Sequence, residues 1–166
     1  MMKDLYNCII DRTVYPILIK NNGKTYLTLH YYTERSDFVL HNDEKRLLCF
    51  QSREEMERFC KSNELKIDNC IYDRIYDFDA PISNPIDYRS VLDKWNLLNT
   101  IAGTWKMYFE GDSKKYNNLY DLLFRLCTPV EPIDEVYDVG ERYLKYILKV
   151  FRKKDRFLER FEMYRE

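Results

Sequence analysis

Three aspartates pose the first chemical question of this chain. Asp73, Asp77 and Asp79 fall inside the run IYDRIYDFDAP. Residues two apart on a strand point to the same side, so Asp77 and Asp79 would face one way. Carboxylates placed like that can share acid and base roles, or hold Mg²⁺ against a phosphate. Either chemistry needs support that is missing here. No Lys, Arg or Gly cradle surrounds the pair, and four glycines in the whole chain leave no phosphate-binding Gly-rich motif. The plainer role of Asp at a strand end is to form a turn.

Other catalytic groupings are weaker. Cys49 with His30 or His41 would make a Cys/His pair, but these residues belong to expected hairpin strands, where His commonly packs across strands. No Gly-x-Ser-x-Gly elbow occurs. The five cysteines, Cys8, Cys49, Cys60, Cys70 and Cys127, are odd in number and never spaced as C-x-x-C. Reduced thiols, mostly in the core, are the expectation, with no metal and no cofactor. The run RKKDRFLER offers Arg152, Lys153, Lys154, Arg156 and Arg160 to phosphates. Asp155, Glu159, Glu162 and Glu166 interleave or follow them, and the pI near 6.2 is far from basic, so no nucleic-acid partner is expected.

Binding to another protein remains. Fifteen tyrosines are many for 166 residues, and Tyr gives an interface area together with a hydroxyl. An AT-rich gene with its Tyr in the core would give the same composition. Charge is unevenly spread beneath a net −1: residues 68–138 hold 13 Asp/Glu against 7 Lys/Arg, and residues 139–166 hold 5 against 9. An acidic middle can steer a basic partner to one face. The basic tail is also what the wet side of a helix looks like.

The elements that must position these residues divide the chain in two. A length of 166 residues, 45% hydrophobic and 33% charged, fits one globular domain. Residues 1–80 read as mainly β with one short helix, and residues 84–166 as mainly α. YNCII and TVYPILIK have strand composition, with Pro16 favouring an edge or a bulge. Asn21-Asn22-Gly23 marks a turn. KTYLTLHYY alternates, with Tyr26, Thr28 and His30 on one face and Leu27, Leu29 and Tyr31 on the other. DFVLH and RLLCF add short strands, and Cys70 to Phe78 a last one, giving an antiparallel meander of about five. Ser52-Arg53-Glu54-Glu55 is a capping box opening a helix to Ser62.

Asn84-Pro85 can start a second helix. Its face is Val91, Trp95, Leu98, Ala102, Trp105 and Phe109, which puts both tryptophans in the core. Glu110-Gly111-Asp112 breaks it. Tyr116, Leu119, Tyr120, Leu123, Phe124 and Cys127 form another stripe, Thr128 to Asp138 a loop, and Tyr143, Ile147 and Val150 a helix from about Gly140, breaking near Lys153 to Asp155. RFLERFEMY follows. Strands first and helices second predict an α+β fold with helices on one face of the sheet. There is no signal-peptide core at the N-terminus and no run of about 18 apolar residues, so no membrane span is expected.

Several patches carry a resemblance: Ser52-Arg53-Glu54-Glu55, Tyr76-Asp77-Phe78-Asp79, Leu92-Asp93-Lys94-Trp95-Asn96-Leu97-Leu98, Phe109-Glu110-Gly111-Asp112 and Tyr120-Asp121-Leu122-Leu123-Phe124. With them, residues 50–165 resemble, in patches, the immunity proteins of contact-dependent growth inhibition and other polymorphic toxin systems. Residues 125–129 are less Gly- and Asn-rich than that likeness leads one to expect. The resemblance implies a non-enzymatic antitoxin of the bacterial cytoplasm. It would bind a cognate toxin domain, commonly a basic nuclease, one to one over its active site or substrate surface. The contacts expected are Asp73, Asp77, Asp79, Glu110, Asp112, Glu131, Asp134 and Glu135 for charge, with Tyr76 and Tyr88 as aromatic anchors. The alternatives are a regulatory interaction domain or an acidic-site hydrolase.

Overall fold

Asn21-Asn22-Gly23 reverses the chain as expected. Asn22 and Gly23 take φ of 52° and 73°, the left-handed conformation that Asn and Gly supply most readily in a tight hairpin. The turn joins β1 (Thr13–Asn21) to β2 (Lys24–Tyr32), with Val14 opposite Tyr31 and Asn21 opposite Lys24. These come from a computed structural model that describes residues 2–68, 74–83, 86–127 and 136–166, and the side chains of 4–68, 74–83, 86–127 and 143–166. The expected helix start at Asn84-Pro85, Cys70, and the site candidates Asp73, Glu131, Asp134 and Glu135 lie outside the described residues.

The fold is α+β, with a sheet of about five strands in the N-terminal half and helices in the C-terminal half. The sheet is mixed, not a pure meander. β3 (Asp37–Val39) pairs antiparallel with β2, but β5 (Lys66–Ile67) and β6 (Arg74–Asp77) both run parallel to β1. Parallel pairing needs a crossover, and the chain reaches the free side of β1 only after helix α2 (Arg53–Ser62). β1 is therefore central despite Pro16. The carbonyls of Val14 and Lys20 accept from Asp68 and Phe78, so even-numbered residues of β1 face β5 and β6. Pro16 lies where the parallel partner changes from β5, opposite residues 13–14, to β6, opposite 17–20. Its missing N–H falls in that gap.

Other local expectations yield to tertiary structure. The Tyr6–Ile10 stretch is not a strand. It follows the short helix α1 (Met2–Leu5) and forms 3-10 turns at Tyr6–Cys8 and Ile10–Arg12. Asp11 and Arg12 have φ of 52°, and Tyr6 is buried, edge-on to Phe59, donating to the His41 carbonyl at 3.0 Å. In α2, Ser52 Oγ accepts from Glu55 N at 3.2 Å, and Glu55 reaches back to the amide of Gln51 at 2.7 Å.

Both faces of the sheet carry a core, where one was expected. Val14, Leu29, Tyr31 and Leu40 pack on Met56, Phe59 and Cys60 of α2. Ile17, Ile19 and Phe78 pack under α3 (Tyr88–Trp105) with α4 (Asn117–Cys127), α5 (Val136–Phe151) and α6 (Asp155–Leu158). Asp87 caps α3 by accepting from Ser90 N at 3.0 Å. Its stripe of Val91, Trp95, Leu98 and Ala102 is buried, while Trp105 is half-buried. Each fully buried side chain such as Leu98 contributes about 1.5–3 kcal/mol. α3 ends where Lys106 turns left-handed, with Lys106 N and Met107 N bonding back to Gly103 O and Ala102 O. α5 begins earlier than Gly140. The last segment adds β7 (Phe161–Met163), parallel to β4 (Leu47–Cys49) in a second small sheet. No helix among the described residues is long and apolar enough to cross a membrane.

Candidate partner-binding cleft

Asp77 and Asp79 leave β6 and turn to different backbones. Asp77 Oδ1 accepts from the amides of Asp79 and Ala80 at 3.0 and 3.2 Å, closing the strand with a local turn. The Asp79 carboxylate accepts from Asn22 N at 2.6 Å and Gly23 N at 3.0 Å. The Gly23 amide is the largest reason its carboxyl sits below the ordinary aspartate range, with the Asn22 amide and Lys154 adding to it. The hairpin tip gathers further groups. Asn21 receives Lys154 Nζ at 2.5 Å and donates to Asp155 at 2.9 Å, and Asn22 donates to Glu159 at 3.1 Å. The D-x-D pair thus staples the fold. Among the described residues no group of three or more His, Cys, Asp or Glu is placed to hold a metal ion.

The remaining sequence candidates scatter. Glu110 lines a small groove of about 230 Å³ with Tyr108, Lys153 and Arg156. Asp112 is exposed at the end of the same 3-10 turn, and Tyr88 begins α3 half-buried against the core. Tyr76 alone reaches a larger cleft.

That cleft, about 380 Å³, lies between the solvent side of α3 and one end of the sheet. Strand registers bring its floor together: Tyr32 lies opposite Asp37, His30 opposite Tyr15, and Ile17 and Ile19 opposite Arg74 and Tyr76. From α3 come Asp93, Asn96, Asn99 and Thr100. Asp37 Oδ2 sits 2.9 Å from His30 Nε2 and accepts from Thr100 Oγ1 at 2.7 Å. His30 is only 8% exposed, and its other nitrogen, Nδ1, is buried with no hydrogen-bond partner. The His30 ring meets Tyr32 edge-on at 4.8 Å. At the helix side, Tyr120 donates to Asn96 at 2.8 Å.

The hydrogen bond from His30 is the main reason Asp37 is held below the ordinary aspartate range, with Thr100 adding to it against the cost of burial. The Asp37 carboxylate accepts from both His30 Nε2 and Thr100 Oγ1, so Nε2 carries a proton. Burial pushes Asp93 the other way, upward, opposed by Arg89 at 3.6 Å and by Arg74. Burial works against the Arg74 charge, and the hydroxyls of Tyr76 and Tyr32 more than offset it. Tyr76 is pushed up, chiefly by burial. An Asp that fixes the tautomer of a His is also how general bases are oriented, yet no described side chain hydrogen-bonds Nδ1 to be activated by it.

Sequence reasoning reached Tyr76 and missed the rest of this cleft. The signals were present in part. Alternation in KTYLTLHYY put His30 on the same face as Thr28. Asp93, Asn96 and Thr100 recur at spacings of 3 and 4, a polar stripe beside the apolar one. Nothing local joins that stripe to β2 and β3.

No protein-family model matches the chain, and no curated protein matches it. A solved structure, the SatS C-terminal domain in complex with bromine, is similar in fold. It aligns with a TM-score of 0.58 at 15% identity, over 93% of this chain and 95% of that one. A likeness at that identity shows a shared fold alone.

Proposed function

We propose that this chain is an immunity protein: a non-enzymatic module of the bacterial cytoplasm that binds a basic toxin domain, such as a nuclease, one to one and covers its active site or substrate surface. The observation that supports this most is the composition of the cleft. Tyr32, Tyr76, Tyr120 and Arg74 crowd around it or its rim, and Tyr and Arg are the residues on which protein interfaces concentrate their binding energy. The acidic excess of residues 68–138 supports the sign of the partner's charge. The patches resembling immunity proteins, Leu92 to Leu98 and Tyr120 to Phe124, flank the same helix ribbon. In this reading Tyr76 remains an anchor and Asp93 supplies a carboxylate in the same cleft. Asp77 and Asp79 serve the fold first.

The test is co-expression with the secreted toxin domain encoded beside its gene. Growth should be spared and a 1:1 complex should purify. Tyr76→Ala and Asp93→Ala should each weaken that complex about tenfold or more. Unrelieved killing with no complex in vitro would overturn the proposal.

A further inference from the structure

The acids that interleave or follow the basic tail are claimed elsewhere by the fold. Asp155 and Glu159 accept from Asn21 and Asn22 at 2.9 and 3.1 Å, and Glu162 and Glu166 pair with Arg46 and Arg58 at 3.1 and 3.3 Å. Lys153, Arg156 and Arg160 are exposed and have no ion-pair partner among the described residues. Lys153 and Arg156 line the groove of about 230 Å³ beside Tyr108, which is 71% exposed; Glu110 is the one carboxylate in that lining. Arg160 continues the line. Its Nε donates to the Arg156 carbonyl at 2.7 Å, and its guanidinium lies 5.2 Å from the centre of the Trp105 ring. The next residue after Trp105 is Lys106, which meets Lys45 from the β3–β4 connection. The Lys106 ammonium is close enough to hold Lys45 below the ordinary lysine range. Like charges this close repel, and an anion between them relieves the repulsion.

Cations alone would take any polyanion, and the exposed aromatic ring narrows the choice. Tyr108 beside two cations offers a flat face to a base while the cations hold the neighbouring phosphates. An acidic peptide would leave that ring unused, and a duplex keeps its bases stacked away from it. We propose that this surface binds single-stranded nucleic acid, with phosphates on Lys45, Lys106, Arg156 and Lys153 and a base stacked on Tyr108. It shares no lining residue with the Tyr76 cleft, and the proposal stands apart from the immunity reading.

The test is fluorescence anisotropy of the purified full chain with a fluorescein-labelled ten-nucleotide oligo-dT. Binding should have a dissociation constant of about 1–100 µM near physiological salt. Contacts to about four phosphates of a single strand give a log–log salt slope of about −3, so raising salt from about 50 to about 200 mM should weaken binding roughly fiftyfold. Tyr108→Ala should weaken it about fivefold or more, and an abasic strand of equal length should bind weaker by a similar factor. Lys106→Glu combined with Lys153→Glu should weaken it at least about tenfold and flatten the salt slope. All three positions are exposed, so circular dichroism should be unchanged. No binding at about 50 mM salt, an unchanged affinity in either variant, or equal binding of the abasic strand or of deca-glutamate would each overturn the proposal, deca-glutamate pointing to an acidic protein segment instead.

Discussion

Gly111→Ala should destabilise the protein by steric pressure alone. Gly111 is buried in the 3-10 turn after α3, and its φ is not positive, so alanine meets no backbone strain there. The new methyl would stand 2.6 and 2.7 Å from Phe109 Cζ and Cε1 and 2.8 Å from Trp95 Cε2. Carbon atoms rest at about 3.5–4.0 Å, so the rings must retreat by roughly 0.7–0.9 Å or more. Neither has room to do so. Trp95 is 2% exposed and Phe109 4%, and Phe109 is already wedged edge-on between Trp95 and Phe157, at 6.2 and 5.9 Å. Overpacking of this kind costs about 1–3 kcal/mol. For a chain of this length that lowers Tm by about 2–12 °C. Circular-dichroism melts measure it, and urea titrations should show a lower midpoint with an unchanged slope. In a Phe109→Leu background two of these three ring atoms are gone, leaving only Trp95 Cε2, so the added cost of Gly111→Ala should shrink by about 1 kcal/mol or more. An unchanged Tm for Gly111→Ala, or an equal cost in both backgrounds, would refute this account of the turn.

Further outcomes follow from other groups. Asp79→Ala should speed hydrogen exchange at the Asn22 and Gly23 amides by removing their acceptor, with little change at the far end of the hairpin near Tyr31; equal rates would show the staple is idle. Burial, the largest cause, holds His41 below its ordinary value of 6.5. The unfolded chain then binds a proton that the folded chain resists, so stability is fully present above 6.5 and falls as pH drops through that value. Urea midpoints should decline between about pH 7 and pH 5, and His41→Gln should flatten that slope. Cys60 and Cys49 are buried, with thiols pushed up to about 12 and about 11 by burial, whereas Cys8 is exposed. Alkylation near about pH 8 should therefore label Cys8 well ahead of both, read by peptide mass spectrometry.

Where the sequence signal was local, it was legible. Asn22-Gly23 needs positive φ, Ser52 and Glu55 bracket a helix start, and Val91 to Ala102 recur on one face; each is decided within a few residues. Pairing partners were not legible. Nothing within Arg74–Asp77 says that β6 will lie parallel to β1, and three residues, Phe161–Met163, are too few to announce a strand after RFLER. The same limit explains the site. Asp77 and Asp79 look like free charge in the sequence, yet the amides that claim Asp79 lie 57 and 56 residues away. Thr100 reaches Asp37 across 63 residues. The basic tail is resolved the same way, because Asp155 and Glu159 turn to Asn21 and Asn22.

That convergence on the hairpin tip bears on how the protein is made. Lys154, Asp155 and Glu159 brace a turn built some 130 residues earlier, and β7 supplies the partner of β4. While the ribosome is still translating, Asn21 keeps an unfilled side chain and Leu47–Cys49 an open edge. Closure waits until Met163 has cleared the exit tunnel, so the nascent polypeptide must stay clear of other chains in the meantime.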